Sequence, residues 1–291
     1  MKLPHIIVLG GGGVKAIAHI GALQMLEEAS ILRFVRKYIG LSAGSLVAFG
    51  MVLGYTIAAL KDICERFDFA VLQDPAPEGF LSFIDNYGID TGDRLVRFLQ
   101  ALLTIKGLTA DLTFAGLKAA RPQLQLEVIA SDLTTGEPAI FSYDRTPNCR
   151  VVDALRASMS LPFYFWPVHI GDHLYVDGGV HGLYPMNLLS SKEQSEALGV
   201  ILLQQIDKWS HFDGPDAFIL RLYELTTTSK SRILYDRYKD NTICIRTPAI
   251  SSLQFGLSAE DRKTLFNEGY KAAKDYITMS RIHFTKRRAS I

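Results

Sequence analysis

The residues best able to do chemistry lie in three short stretches. They are Gly10-Gly11-Gly12-Gly13-Val14-Lys15, Gly40-Leu41-Ser42-Ala43-Gly44 and Val176-Asp177-Gly178-Gly179. The second is a GxSxG. It follows an apolar, strand-like run and opens a helix-like one, which sets a serine hydroxyl on a strained turn at a sheet edge. Gly40 and Gly44 leave room for neighbouring backbone, and the helix N-terminus lends positive potential to a developing oxyanion. That is the arrangement of a nucleophilic serine. The four glycines of the first stretch can turn several backbone N–H groups toward one anion. A phosphate-binding Walker loop needs Gly-Lys-Ser/Thr, whereas Lys15 stands between Val14 and Ala16. Gly11-x-Gly13-x-x-Ala16 does fit a dinucleotide loop, but the second strand runs through Arg36 and Lys37 to Gly40 without the acid that would hold a ribose. An oxyanion hole accounts for both glycine turns at once, because adjacent parallel strands bring them to the same edge.

A nucleophilic serine needs a base. Seven histidines are present, and His169, His173 and His181 cluster beside the third stretch, which leaves a Ser-His-Asp triad open. Asp177 is the other candidate. It ends a strand-like run, and the two glycines after it let its carboxylate reach a neighbouring loop, although Asp-Gly-Gly also serves as a plain turn. Asp132, after Ser131, reads as a turn residue.

These residues need a scaffold. Ile6 to Leu9 is an unbroken apolar run of the kind found in central parallel strands. Lys15 to Ala29 has helical spacing, Phe34 to Ile39 reads as a second strand, and a helix is predicted from Ala43 to Phe67. This β-turn-α-β-turn-α order predicts an open α/β sheet with its site beyond the carboxyl ends of the strands. A loop or cap segment is predicted over Asp74–Asp90, and a helix over Thr91–Lys106 with Thr91 as N-cap. Strands are expected at Leu124–Ala130, Ala139–Tyr143, Val168–Val176 (two, around Gly171-Asp172), Leu198–Gln204 and Ile243–Ile245. Helices are expected at Asp153–Met159, Pro215–Tyr238 and Ser258–Met279. The aromatic run Phe163-Tyr164-Phe165-Trp166 reads either as a buried strand between Pro162 and Pro167 or as the apolar mouth of a site.

Composition narrows the class. The chain has 291 residues, 48% of them hydrophobic and 21% charged, so it can bury a large core and is not a disordered or fibrous protein. Thirty-one Lys and Arg against 30 Asp and Glu give a net charge of +1, which argues against a nucleic-acid binder that relies on overall charge. Cys64, Cys149 and Cys244 are widely spaced and form no CxxC, so they are expected as reduced thiols. No cofactor or metal is expected, since no HExxH, EF-hand or Cys/His cluster occurs. From Tyr38 to Leu60 there are 23 residues without a charge, long enough to span a bilayer, but the run opens with the Gly40–Ser45 turn and so reads as buried α/β core. The thin positive start and the lack of a cleavage site predict no signal peptide, hence a cytoplasmic protein. The last 31 residues, from Asp261, hold eight Lys/Arg and three Asp/Glu. They end near Lys286-Arg287-Arg288, which suits either a solvated tail or peripheral contact with an anionic membrane.

With these features the chain resembles the patatin-like phospholipases, relatives of cytosolic phospholipase A2, over roughly Ile6 to Leu189. Gly11-Gly12-Gly13-Val14-Lys15 resembles that family's oxyanion loop, Gly40-Leu41-Ser42-Ala43-Gly44-Ser45 its nucleophile elbow, and Asp177-Gly178-Gly179 its aspartate motif. His19-Ile20-Gly21-Ala22-Leu23, Asp132-Leu133-Thr134-Thr135-Gly136 and Ala157-Ser158-Met159-Ser160-Leu161-Pro162 also resemble it, in the family's order. Ala16 departs from it, standing where the family usually has glycine. The resemblance implies a three-layer α/β/α fold with a mostly parallel central sheet. It implies a catalytic domain over 1–200, with 201–291 as a mainly helical extension packed on it. It further implies a Ser42–Asp177 dyad without histidine, an oxyanion hole of Gly11, Gly12 and Gly13, and a phospholipid or other lipid ester as substrate.

Overall fold

A strand that is apolar at every position belongs inside a sheet covered on both faces. Ile6–Leu9 forms such a strand, β1, with all four residues buried. The computed structural model describes residues 3–76, 80–204 and 215–289. The other strands are β2 (Lys37–Leu41), β3 (Gln125–Asp132), β4 (Pro138–Ser142), β5 (Val168–Ile170), β6 (His173–Asp177), β7 (Ala197–Gln204) and β8 (Thr242–Thr247). They make one sheet in the order β5-β6-β3-β2-β1-β7-β8, with β4 also paired to β3. From β3 to β8 the pairings are parallel; β4, β6 and β5 join antiparallel at one side.

The helices are α1 (Ile17–Glu28), α2 (Ala43–Leu53), α3 (Ile57–Arg66), α4 (Phe80–Asn86), α5 (Asp93–Ile105), α6 (Phe114–Ala120), α7 (Val151–Ser158), α8 (Ser191–Glu196), α9 (Pro215–Tyr238) and α10 (Ala259–Ala289). Side chains alternate across the sheet. Ile7 and Leu9 join a core built with α1, α2, α5, α7 and α10. Ile6 and Val8 join a second core with Tyr184, Met186 and the Leu234–Tyr238 end of α9. The result is the expected three-layer α/β/α fold. Residue 200 lies inside β7, and β8 and α10 continue the same sheet and the same outer layer.

α10 packs on α1 with backbones touching. A Cβ at Gly21 would overlap Phe266 O, and one at Gly269 would overlap Ala18 O. Gly21→Ala should therefore cost about 1–3 kcal/mol by overpacking, read from urea unfolding. An unchanged midpoint would show that this crossing is not held closely.

Several boundaries differ from expectation. The helix predicted over Ala43–Phe67 is two, because Gly54 takes the left-handed conformation (φ 81°) after α2 and Thr56 Oγ1 accepts from Ala59 N to cap α3. The second strand starts at Lys37 rather than Phe34, since Leu32–Phe34 forms a 3-10 turn. α4 interrupts the loop predicted over 74–90. Thr91 Oγ1 does receive the Asp93 N–H, although Gly92 is the capping position. The aromatic run is no strand. Tyr164 N and Phe165 N both turn back to Leu161 O, and Phe163 has φ 68°.

Among the described residues no helix is long and apolar enough to cross a membrane. The uncharged run 38–60 is shared among β2, α2 and the start of α3. The side chains of the basic run 281–288 lie outside the described residues.

Candidate active site

β2 delivers Ser42 to the start of α2. Ser42 has φ 52° and ψ −133°, a conformation in which a non-glycine residue is strained. Three side-chain bonds hold it there. Ser42 N donates to Ser158 Oγ at 2.8 Å, and Ser158 Oγ donates to Ile129 O at 2.6 Å. Ser45 Oγ donates to Ser42 O at 2.6 Å. Gly44 is what lets the elbow close on the first glycine loop, since a Cβ there would overlap Leu9 O and Gly10 O. Gly40 lies equally close to Ser45.

The Gly10–Gly13 loop lies beside the serine; a Cβ on Gly11 would come within 3.1 Å of Ser42 Cβ. The N–H groups of this loop are not equivalent. Gly10 N donates to Val200 O at 3.0 Å, Gly11 N to Leu183 O at 2.9 Å and Val14 N to Ser252 O at 3.1 Å. Among the described residues, the N–H groups of Gly12 and Gly13 have no such acceptor. The sequence places Gly11 among the oxyanion donors; in the fold its N–H is already engaged by Leu183.

Lys15 lines the same cavity as the serine, but its ammonium is bound to other partners. Its Nζ donates to Gln204 Oε1 at 2.6 Å, Ile250 O at 3.1 Å and Ser252 Oγ at 3.1 Å. Burial pushes its pKa down to about 8, with Glu224 opposing. It ties the glycine loop to β7 and to the segment after β8.

Asp177 ends β6, is 2% exposed, and lines the same cavity as Ser42. Its Oδ1 accepts from Gly179 N at 2.7 Å and from Tyr223 Oη at 3.3 Å. Burial raises its pKa to about 6, while the Ser42 hydroxyl and the bonds from Gly179 and Tyr223 hold it lower than burial alone would. Gly178 packs against Leu41 and Ile129 O, bringing the aspartate turn onto the elbow.

The histidines are engaged elsewhere. His173 Nδ1 donates to Asp132 Oδ2 at 2.7 Å, and Asp132 also accepts from Thr134 N at 2.8 Å as a turn residue. His181 Nε2 donates to Gly136 O at 3.1 Å, leaving Nδ1 to accept from Ser131 Oγ at 2.8 Å. His169 is exposed on β5. His19 Nε2 donates to Gly10 O at 2.8 Å, and burial lowers its pKa to about 4, so it supports the glycine loop as a neutral ring. His211 lies outside the described residues.

Ser42 and Asp177 open onto a cavity of about 160 Å³. One side is apolar, with Ile17, Leu46, Leu95, Met159 and Phe165 among its walls; the other is the polar face of α9. Of the aromatic run, Phe165 borders the cavity, while Phe163 is half-exposed and packs on Phe83. Sequence reasoning does not single out Tyr223. It sits 46 residues beyond Asp177 in the chain and no motif surrounds it.

Both the fold and the sequence have counterparts. VipD of Legionella pneumophila superposes with a TM-score of 0.66 at 17% identity, covering 96% of this chain and 67% of VipD. The type III effector ExoU superposes at 0.53, also at 17% identity, over 96% of this chain and 53% of ExoU. In sequence, the uncharacterised Bacillus subtilis protein YqhO is 29% identical over 290 residues, covering 93% of this chain and 97% of YqhO. A probable lipid hydrolase, 463L of Invertebrate iridescent virus 6, is 26% identical over 195 residues, covering 64% and 63% of the two chains. Residues 7–189, which carry all three glycine motifs, match the patatin-like phospholipase family, and the chain belongs to that family.

Proposed function

We propose that this protein is a phospholipase A-type serine hydrolase of lipid esters, with Ser42 as nucleophile and Asp177 as its base. The observation that carries the reading is a strained serine and a buried carboxyl brought together in the lining of one cavity with an apolar wall. With a pKa of about 6, Asp177 is ionised near neutrality and still basic enough to accept a proton. As Asp177 takes the Ser42 proton, Oγ bonds to the ester carbonyl carbon. The oxyanion lies against the N–H groups of Gly12 and Gly13, each contributing about 3 kcal/mol in the transition state. The alcohol leaves with the proton held by Asp177. Water, deprotonated by the same carboxylate, then releases the fatty acid from Ser42. The apolar wall takes the acyl chain. Contact of the basic run 281–288 with an anionic membrane surface belongs to the same proposal.

A lipid fluorophosphonate tests it. It should add to Ser42, and the labelling rate should fall about tenfold per pH unit below about pH 6, following loss of the Asp177 carboxylate. Labelling that survives Ser42→Ala, or a rate flat between about pH 5 and about pH 8, would rule the reading out.

A further inference from the structure

α9 lies outside the residues that match the family, yet it reaches the candidate base. The Tyr223 hydroxyl shares Asp177 Oδ1 with Gly179 N. There is room for it because residue 179 has no side chain; a Cβ there would overlap the phenol oxygen. α9 is held in this place from the same turn, since Lys230 Nζ donates to Val180 O at 2.7 Å. Within α9, Thr227 Oγ1 donates to Tyr223 O at 2.8 Å.

We propose that Tyr223 is a positioning residue for the Asp177 base, holding Oδ1 so that Oδ2 is the oxygen that takes the Ser42 proton. The proposal rests on the reading of Ser42 and Asp177 given above. In that step the Ser42 O–H bond breaks, the proton passes to Oδ2, and the electron pair stays on Oγ to bond the acyl carbon. Two donors on Oδ1 keep the negative charge of the waiting carboxylate stabilised and stop the side chain from rotating. Docking of α9 thus completes the base as well as one wall of the cavity.

The other ionisable groups on the elements packed around Asp177 have their own partners. Lys15 is bound to Gln204, Ile250 O and Ser252. Glu224 receives Ser252 N at 3.4 Å. His181 is held by Ser131 and Gly136, and Asp132 by His173. Arg156 donates to Thr91 O and Trp166 O. Apart from Ser42 itself, Tyr223 is therefore the side chain whose removal bears most directly on the protonation of Asp177.

Tyr223→Phe deletes one oxygen and keeps the ring. Its fluorophosphonate labelling should show an acid limb moved from about 6 toward about 7, because the carboxylate loses a donor. The rate would fall about fivefold at about pH 6 and stay within about twofold of the parent at about pH 8. Gly179→Ala, which crowds the phenol oxygen from the other side, should move the limb the same way and decides the matter if Tyr223→Phe fails to fold. A limb that superposes on the parent's, or a loss equal at every pH, would overturn the positioning role, the latter leaving only packing. Failure of the parent protein to label at Ser42 would instead overturn the hydrolase reading, and this proposal with it.

Discussion

Ser42→Ala and Asp177→Asn are each expected to lower ester hydrolysis at least about 10³-fold, and the double variant to be little worse than either. The non-additivity follows from the geometry. In the proposed dyad the aspartate acts only through the proton of the serine, so once one is gone the other has nothing left to do. Residual turnover would come from the Gly12 and Gly13 N–H groups and the cavity, which neither change disturbs. Both variants should stay folded. The Ser42 backbone keeps its bonds to Ser158 and Ser45 in the alanine variant. In Asp177→Asn the new amide still offers an oxygen to Gly179 N and Tyr223. Steady-state hydrolysis of a dispersed lipid ester, with circular dichroism as the folding check, measures this. A strongly additive double variant, or more than about a tenth of the activity left in Asp177→Asn, would mean that another group is the base.

What could be read from the sequence was local. The glycine loop, the elbow and the aspartate turn each join a strand to a helix or turn within a few residues, and their side-chain demands show in the residue types. Gly44, for example, stands where nothing larger than hydrogen clears Gly10 O. The split between α2 and α3 was equally available, since Gly54 followed by Thr56 is a helix stop and start. What stayed hidden depends on contacts made over distance. Gly11 resembles an oxyanion donor until Leu183, far along the chain, takes its N–H. Tyr223 is one of 12 tyrosines and becomes notable only when α9 folds over the sheet edge. The aromatic run after Pro162 has the composition of a strand, but Asp90 O takes the Trp166 N–H and Leu161 O takes those of Tyr164 and Phe165. What is left for it is an isolated bridge of Phe165 to Asp90.

The carboxyl proposed as the base should also weaken the fold, and the pH dependence shows by how much. Asp177 has a pKa of about 6 in the folded chain against 3.8 when unperturbed. Between those values the unfolded chain loses its proton first, so the folded state binds more protons and stability falls as pH rises. The full cost, about 3 kcal/mol, is in place above about pH 7 and absent below about pH 3. Asparagine carries no charge to desolvate, and its oxygen can keep both donors that Oδ1 now holds. Asp177→Asn is therefore expected to be more stable than the parent by up to about 3 kcal/mol at about pH 8, with the gain fading to about 0.5 kcal/mol at about pH 4. Other groups titrate over the same range, but they do so in both proteins and cancel in the difference. Paired urea unfolding curves at the two pH values give the result. A gain independent of pH would mean that the buried carboxyl is not proton-linked to folding, and with it would go the acid limb near 6 on which the catalytic reading of Asp177 depends.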